Sequence, residues 1–108
     1  MNILFLDDDP TRAQVFIREN PNVTWVQTAE ECISKLSESW DLVCLDHDLG
    51  DDGLGTAEYN GMHVVRWIQD NHPDVTQFHI HSWNIPAAGM MLRCLRDAGY
   101  STTAKPFR

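Results

Sequence analysis

Segments that favour strands alternate with segments that favour helices along the whole chain, and this alternation constrains the fold more than any other feature. Strand-forming runs lie at 2–6, 23–26, 42–45, 78–81 and 101–104. Apolar residues recur at helical spacing between them, at 10–20, 28–36, 61–71 and 86–98. Alternation of this kind predicts one parallel α/β sheet with right-handed crossover helices.

Capping residues mark where the predicted helices begin and end. Asp9 is a candidate N-cap, and Pro10 suits the first position of the first helix. Thr28 followed by Glu31 has the spacing of a capping box. Gly99 suits the C-cap of the last helix. These signals support the boundaries that the periodicity predicts.

Length and charge exclude several classes of protein. The 108 residues suffice for one core, so we treat residues 1–108 as a single domain. The net charge of −8 argues against binding duplex nucleic acid through phosphate neutralisation. No apolar run approaches membrane-spanning length, and no signal peptide is evident. We therefore expect a cytoplasmic protein without a membrane partner.

The cysteines agree with this expectation. Cys32, Cys44 and Cys94 are an odd, widely spaced set without the C-x-x-C pattern of a structural zinc site. They are expected to be reduced residues of the core.

Chemically reactive side chains follow four of the five predicted strands. They are Asp7, Asp8 and Asp9 after the first strand, Asp46, His47 and Asp48 after the third, His81, Ser82 and Asn84 after the fourth, and Lys105 after the fifth. Ligands of parallel α/β sheets bind beyond the carboxyl ends of the strands, so these side chains should meet in one pocket. Carboxylate oxygens favour a hard divalent cation such as Mg²⁺. A nearby lysine and hydroxyl could hold the oxygens of a phosphoryl group.

Four short motifs, "FLDDDPTR", "DLVCLDHDL", "HSWN" and "AKPF", resemble the receiver domains of two-component response regulators in order and spacing. The resemblance covers nearly the whole chain and implies a flavodoxin-like five-stranded parallel sheet of order 2-1-3-4-5. It identifies Asp7 and Asp8 with the acidic pair, of which Asp8 is the preferred direct metal ligand. It identifies Asp46 with the phosphoacceptor. It also implies that Lys105 is the phosphate-binding lysine, with a cis bond to Pro106.

Several departures from an ordinary receiver point to a divergent branch. Trp83 stands where a small residue usually follows the hydroxyl of Ser82, and Thr102 stands in place of the aromatic switch residue. The loop after Asp46 is long, and the fifth helix is missing. With "LDHDLG", "NGMHVVRWI", "HSWN" and "AGY", the chain is similar to the cyclic-phosphate processing receiver domains. That resemblance implies action on, or sensing of, cyclic phosphates such as cyclic nucleotides or RNA ends.

The first hypothesis is a metal-dependent phosphoester site. Mg²⁺ or Mn²⁺ would bind Asp8 and Asp46, with Asp7 or Asp48 as a further ligand. Ser82 and Lys105 would hold the phosphate oxygens. His47 or His81 would move a proton to the leaving oxygen, and a covalent intermediate on Asp46 is left open.

Four residues keep simpler alternatives. His47 and Asp48 could be a pair that only terminates the loop. Asn84 could be a helix cap or a phosphate contact. Trp83 could pack on the surface, or wall the ligand pocket and stack on a base. His79, by contrast, is expected to be a buried strand residue with a hydrogen-bond partner.

Two other hypotheses concern function without phosphoesterase activity. In the second, the chain is a single-domain response regulator phosphorylated on Asp46. In the third, it is a receiver-like module that only binds another protein. A missing fifth helix would expose apolar surface on the first, third and fourth strands, which predicts a homodimer through that face.

Overall fold

Five parallel strands form one sheet in the computed structural model, which describes residues 1–48 and 60–106. The strands are β1 (Ile3–Leu6), β2 (Thr24–Val26), β3 (Trp40–Leu45), β4 (Val75–Ile80) and β5 (Ser101–Ala104). They lie in the order β2-β1-β3-β4-β5, with every neighbouring pair parallel. The predicted sheet and its strand order are therefore confirmed.

Four helices connect the strands, and the predicted caps close their ends. They are α1 (Pro10–Glu19), α2 (Ala29–Lys35), α3 (Gly61–Asn71) and α4 (Ile85–Asp97). The Asp9 side chain accepts from the Thr11 N–H, as an N-cap does. Thr28 is the N-cap of α2, because its hydroxyl accepts from the Glu31 N–H. The hydroxyl also donates to the Glu31 carboxylate, which in a complete capping box would accept from the Thr28 N–H. No helix follows β5 in the described residues.

Strands β3 and β4 begin earlier than the apolar pattern predicts. Trp40 pairs with Val75, so both strands gain residues at their N-terminal ends. The apolar pattern misses these residues because the exposed Asp41 and Thr76 interrupt it. Strand β4 also ends at Ile80, which places His81 just beyond the strand rather than within it.

The two faces of the sheet are covered unequally. The larger core joins one face to α2, α3 and α4 and includes Leu4, Leu6, Val43, Leu45 and Phe78. The smaller core lies under α1 and is centred on Ile3, Phe5, Ala13 and Cys44, with Phe16 and Trp25 packed against it. Because α1 lies over the β1 side, the β4–β5 side of this face has no helix above it in the described residues.

The uncovered half of the sheet is polar rather than apolar. Phe5 and Cys44 are buried, and Leu42 is half-buried. The residues paired beside them on β4 and β5 are Gln77 and His79, and Ser101 and Thr103. A homodimer through this face stays a prediction, but its supposed driving force, a broad exposed apolar surface on β1, β3 and β4, is not observed.

The cysteines are free thiols, as their number and spacing predict. Cys32, Cys44 and Cys94 are free thiols, and burial raises the pKa of Cys32 and of Cys44 to about 12. Cys44 is a core residue, as predicted.

None of the helices in residues 1–48 and 60–106 combines the length and apolar character that a membrane span requires.

Gly61 lets helix α3 approach the end of β3 more closely than any other residue would. Its N–H donates to the His47 carbonyl at 2.8 Å. A Cβ at this position would overlap the Asp46 carbonyl oxygen and would lie 2.9 Å from His47 Cα. The backbone that carries Asp46 and the first turn of α3 are therefore in direct contact.

Replacing Gly61 with Ala should destabilise the protein by about 2 kcal/mol or more, because the added methyl group meets backbone that cannot move aside cheaply. Gly89→Ala is the matched control, since a Cβ there meets nothing within 4 Å and Ala is the better helix former by about 0.5–1 kcal/mol. Urea unfolding of the wild type and of the two variants measures both changes in the free energy of unfolding. Equal stability of the Gly61 and Gly89 variants would contradict the close contact.

Candidate functional site

Asp7 is a fully buried carboxylate at the carboxyl end of β1. Its relative exposure is 0%. Its backbone continues the pairing of β1 with β2, because the Asp7 N–H donates to the Val26 carbonyl. The indole N–H of Trp25 donates to the Asp7 carbonyl at 2.8 Å. Strand pairing and one tryptophan therefore hold this carboxylate inside the protein.

Four donors surround the Asp7 carboxylate. Arg12 makes a bidentate contact, from Nε to Oδ2 and from Nη2 to Oδ1, both at 2.9 Å. The Asp9 N–H donates to Oδ1 at 2.8 Å, and His81 Nε2 lies 3.1 Å from Oδ2. Burial by itself would raise the pKa of Asp7, but the hydrogen bonds from His81 and Arg12 outweigh burial and lower it to about 2. Asp7 is therefore an anion at every ordinary pH.

Arg12 connects all four nearby carboxylates. Besides its bonds to Asp7, its Nη2 lies 3.3 Å from Asp46 Oδ2 and 3.9 Å from Asp8 Oδ1. Its Nη1 lies 3.5 Å from Asp9 Oδ2. The hydrogen bond to Asp7 is the main reason that the pKa of Arg12 is raised, so the guanidinium is a permanent cation here.

Asp46 lies at the carboxyl end of β3 and is only 5% exposed. Its Oδ1 accepts from the His47 N–H at 2.8 Å. Burial raises the pKa of Asp46 to about 6, and the negative charge of Asp7 acts in the same direction. Electrostatic interactions with His81 and Arg12 and the hydrogen bond from the His47 N–H lower the pKa only in part. The site therefore carries negative charge that a further cation would relieve.

His81, the residue that follows β4, joins the acidic cluster. It is 4% exposed, and its ring stacks on Phe5 at 4.8 Å with an interplanar angle of 7°. The stacking aligns its Nε2 with Asp7. His79, two residues earlier, is half-buried and bonds to the Thr103 hydroxyl at 2.7 Å, so the expected hydrogen-bond partner is present although burial is incomplete.

Asp8 and Asp48 lie at the edge of the cluster. Asp8 is about a third exposed, and burial first, then the charge of Asp7, raises its pKa. Asp48 is 67% exposed and bonds to His47 Nδ1 at 2.8 Å. The structure therefore brings Asp7, Asp46 and His81 together without Asp8 or Asp48, whose roles as metal ligands stay predictions.

The loop after β4 is a tight turn before α4. The Ser82 hydroxyl is buried and accepts from the Asn84 N–H at 3.0 Å, while Asn84 Oδ1 caps α4 by accepting from the Ala87 N–H. The cap reading of Asn84 is confirmed, and its phosphate contact stays a prediction. Trp83 is 64% exposed, so stacking on a ligand also stays a prediction.

Lys105 follows β5, as predicted, but its side chain is exposed and forms no ion pair with any carboxylate of the described residues. It lines a groove together with His79 and His81. The described residues contain no cis peptide bond, so the expected cis Lys105–Pro106 bond is wrong. The trans form is the lower in energy for most bonds that precede proline.

The buried donors are compatible with a divalent cation. One ligand atom each from Asp7, Asp46 and His81 can lie within 4.8 Å of one another, and all three residues are buried. Two carboxylate oxygens suit Mg²⁺ or Mn²⁺, and the imidazole nitrogen favours Mn²⁺ of the two. Arg12 supplies positive charge to the same carboxylates and would compete with such an ion.

Sequence reasoning missed two residues that organise the site. Arg12 belongs to the motif "FLDDDPTR", but its spacing of five residues from Asp7 was given no role. An arginine one turn into a helix that Asp9 caps can reach back to the carboxylates before the helix, and this signal could have identified it. Trp25 offers no comparable signal, because its contact with Asp7 depends on the β1–β2 register.

The profile of the cyclic-phosphate processing receiver domains matches residues 2–97, which is most of the chain. Comparison with curated proteins gave no match.

Solved response regulators share the fold. One from Burkholderia pseudomallei, described with a phosphorylated aspartic acid, calcium ion and citrate, has 19% identity and a TM-score of 0.69 over 99% of this chain. This chain spans 61% of that protein's chain. One from Colwellia psychrerythraea has 19% identity and a TM-score of 0.71, with 99% of this chain and 86% of that chain covered. The N-terminal domain of a response regulator/sensory box/GGDEF protein from Carboxydothermus hydrogenoformans has 20% identity and a TM-score of 0.68, with 97% and 81% covered.

Asp46→Asn should stabilise the protein at neutral pH in EDTA. The folded-state pKa of about 6 lies above the ordinary aspartate value of 3.8, so folding favours the protonated acid. The charge on Asp46 therefore costs nothing below about pH 4, costs more as pH rises to about 6, and has its full cost above that value. The gap between the two pKa values corresponds to about 3 kcal/mol at most.

Urea unfolding between about pH 4 and about pH 8 measures this difference. The advantage of Asp46→Asn over wild type should grow through about pH 6 and then level off, whereas exposed Asp70→Asn should show no such trend. Asp7 does not interfere, because its stabilising charge is lost only as pH falls from 3.8 towards about 2. A pH-independent difference, or a less stable Asp46→Asn at neutral pH, would contradict the raised pKa.

Proposed function

The chain belongs to the cyclic-phosphate processing receiver domains, and on this premise we propose that it processes or senses a phosphate ester, with cyclic phosphates as the ligand class. The family description supplies the cyclic phosphate. The chain itself supplies the acidic pocket of a receiver fold. RNA ends and small cyclic nucleotides both carry the required group.

One observation carries the proposal. Asp7, Asp46 and His81 come from the ends of three neighbouring strands, are all buried, and can place their ligand atoms within 4.8 Å of one another. Carboxylates on a protein surface are solvated, whereas burying two carboxylates costs free energy unless they are paired or bind a cation. Bound Mg²⁺ or Mn²⁺ would supply positive charge for the developing oxyanion of a phosphoryl group.

The residues around this pocket could then share the chemistry of hydrolysis. A water molecule loses a proton to His47 as its oxygen bonds to phosphorus, one P–O bond of the ring breaks, and His47 returns the proton to the departing alcohol oxygen. Asp48 holds His47 Nδ1 at 2.8 Å, which leaves His47 Nε2 as the nitrogen that exchanges this proton. Ser82 and Lys105 are proposed to contact the phosphate oxygens.

Arg12 has a defined part in this proposal. Its guanidinium compensates Asp7 and Asp46 when no divalent cation is bound. A cation that binds the same carboxylates must offset the loss or rearrangement of those contacts. The affinity for the cation is therefore set partly by how strongly Arg12 holds its partners.

Arg12→Met should bind Mn²⁺ or Mg²⁺ about tenfold more tightly than the wild type, which corresponds to ~1.4 kcal/mol. In EDTA the same variant should be less stable, because buried carboxylates lose their compensating charge. Thermal unfolding with increasing Mn²⁺ measures both effects, since a ligand raises Tm in proportion to its binding to the folded state.

Arg18→Met is the matched control, because Arg18 is an exposed residue of the same helix. It should resemble wild type in EDTA and with Mn²⁺. If Mn²⁺ raised the Tm of the Arg12 variant no more than that of wild type, competition between Arg12 and the cation would be refuted.

Asp46→Asn should abolish hydrolysis of nucleoside cyclic phosphates and of an RNA oligomer that ends in a cyclic phosphate, with Mn²⁺ or Mg²⁺ present. The substitution removes a charged oxygen ligand but keeps the size of the side chain. Product formation by chromatography is the measurement, and Asp70→Asn should retain wild-type activity. If wild type hydrolysed no substrate but bound one in calorimetry, sensing rather than processing would be the function.

Phosphorylation of Asp46 is the second candidate function. Its position at the buried end of β3 favours it, and the Burkholderia pseudomallei neighbour is described with a phosphorylated aspartic acid. Trp83 and Thr102 do not fit an ordinary receiver, and Thr102 is a buried residue whose hydroxyl donates to the Tyr100 carbonyl. Intact-mass measurement after incubation with a small phosphodonor and Mg²⁺ separates the two functions. An adduct that Asp46→Asn lacks would favour signalling.

A further inference from the structure

A groove of about 320 Å³ lies beside the acidic cluster, between α1 and the β4–β5 side of the sheet. Small-molecule sites start at about this volume. Its lining residues are Phe5, Val15, Phe16, Glu19, Cys44, His79, His81, Lys105 and Pro106. The groove opens where the sheet has no helix above it, so a ligand can enter without moving an element of the described structure.

One wall of the groove is built from stacked rings. Phe16 stacks on Phe5 at 4.2 Å with an interplanar angle of 14°, and His81 stacks on Phe5 at 4.8 Å. Val15 lies on the rim and is 40% exposed. Phe5 and His81 are only 1% and 4% exposed, so the half-buried Phe16 is the ring of this wall on which a planar aromatic ligand can pack.

The opposite wall carries basic side chains. His79 and Lys105 line the groove there, and His81 joins them from the ring stack, in a chain whose net charge is −8. Of the two lysines in the sequence, Lys35 pairs with Glu38, whereas Lys105 has no ion pair among the described residues. Glu19 also lines the groove, on the α1 side, and it will repel an anion placed next to it. An anionic group is therefore complementary to the Lys105 end.

The groove and the acidic cluster share one residue. His81 lines the groove and also places its Nε2 3.1 Å from Asp7 Oδ2. A ligand whose ring packs on Phe16 can therefore extend its anionic end past Lys105 towards the acidic cluster.

We propose that this groove binds the nucleobase of a nucleoside cyclic phosphate, with its phosphate at Lys105. The inference rests on the proposed function, because it names which cyclic phosphates the acidic site receives. Phe16 and Val15 hold the base, and Lys105 fixes the phosphate. The protein should then bind nucleoside cyclic phosphates more tightly than cyclic phosphates that lack a base.

Calorimetry with adenosine cyclic monophosphate in EDTA tests the groove without turnover. Val15→Trp fills the groove and should weaken binding by about tenfold, which is within the contribution of one stacked base. Gln14→Trp, at an exposed position outside the groove on the same helix, should bind as wild type does. Lys105→Met should also weaken binding, whereas Lys35→Met should not.

A second probe separates the base from the phosphate. Glycerol cyclic phosphate has no ring, so Lys105→Met should weaken its binding while Val15→Trp should leave it unchanged. NMR spectra of the wild-type protein provide a measurement that needs no variant, because the nucleotide should shift the ring signals of Phe16 and His79. Wild-type protein that does not bind the nucleotide, or wild-type affinity in both Val15→Trp and Lys105→Met, would overturn the proposal.

Failure of the groove and failure of the proposed function give different results. If Asp46→Asn loses turnover but Val15→Trp keeps its affinity and KM, the groove proposal alone is wrong. If wild type turns over no cyclic phosphate but binds the nucleotide, and Val15→Trp loses this binding, processing is wrong and the groove proposal stands.

Discussion

The charge of Asp7 is the constraint around which the pocket is arranged. A carboxylate with no solvent contact requires donors on every side, and Arg12, Asp9 and His81 provide them. Asp46 is buried almost as completely but receives a single backbone N–H and one longer contact from Arg12. Burial therefore decides the pKa of Asp46, whereas hydrogen bonds decide that of Asp7. The pKa values of two buried aspartates are therefore shifted in opposite directions, because Asp7 has four hydrogen-bond donors and Asp46 has two.

The unequal numbers of donors to Asp7 and Asp46 suit a site at which a ligand binds and leaves better than they suit a permanent ion pair. A carboxylate held by four donors orients its partners and does not titrate. A carboxylate with few donors can bind an incoming cation or a phosphoryl group at little cost in broken bonds. The pairing of a fixed Asp7 with an available Asp46 follows the general pattern in which neighbouring titratable groups with separated pKa values have different roles.

The sequence predicted the frame of this molecule better than its charge network. The parallel strands, the caps and the positions of Asp7, Asp46 and Lys105 after their strands follow from local signals, because strand ends and helix starts leave marks in neighbouring residues. The strand order followed from the family resemblance. The preference for Asp8 over Asp7 followed the family motif, whereas the structure buries Asp7 in the cluster. Which acid lies inward depends on the twist and register of β1 and on Trp25, and no single segment carries that information.

Helix α1 is held in an unusual way, because Ala13 is its one fully buried residue. Much of its attachment comes from Phe16 and Ile17 on the smaller core and from the contacts of Arg12 with the acidic cluster. Packing of this kind is weak compared with the core on the other face of the sheet. Any ligand that draws Arg12 away from Asp7 and Asp46 therefore loosens a whole helix, and the amide hydrogens of α1 would exchange with solvent sooner than those of β3. The acidic pocket thus controls the rigidity of the element that forms one side of the groove.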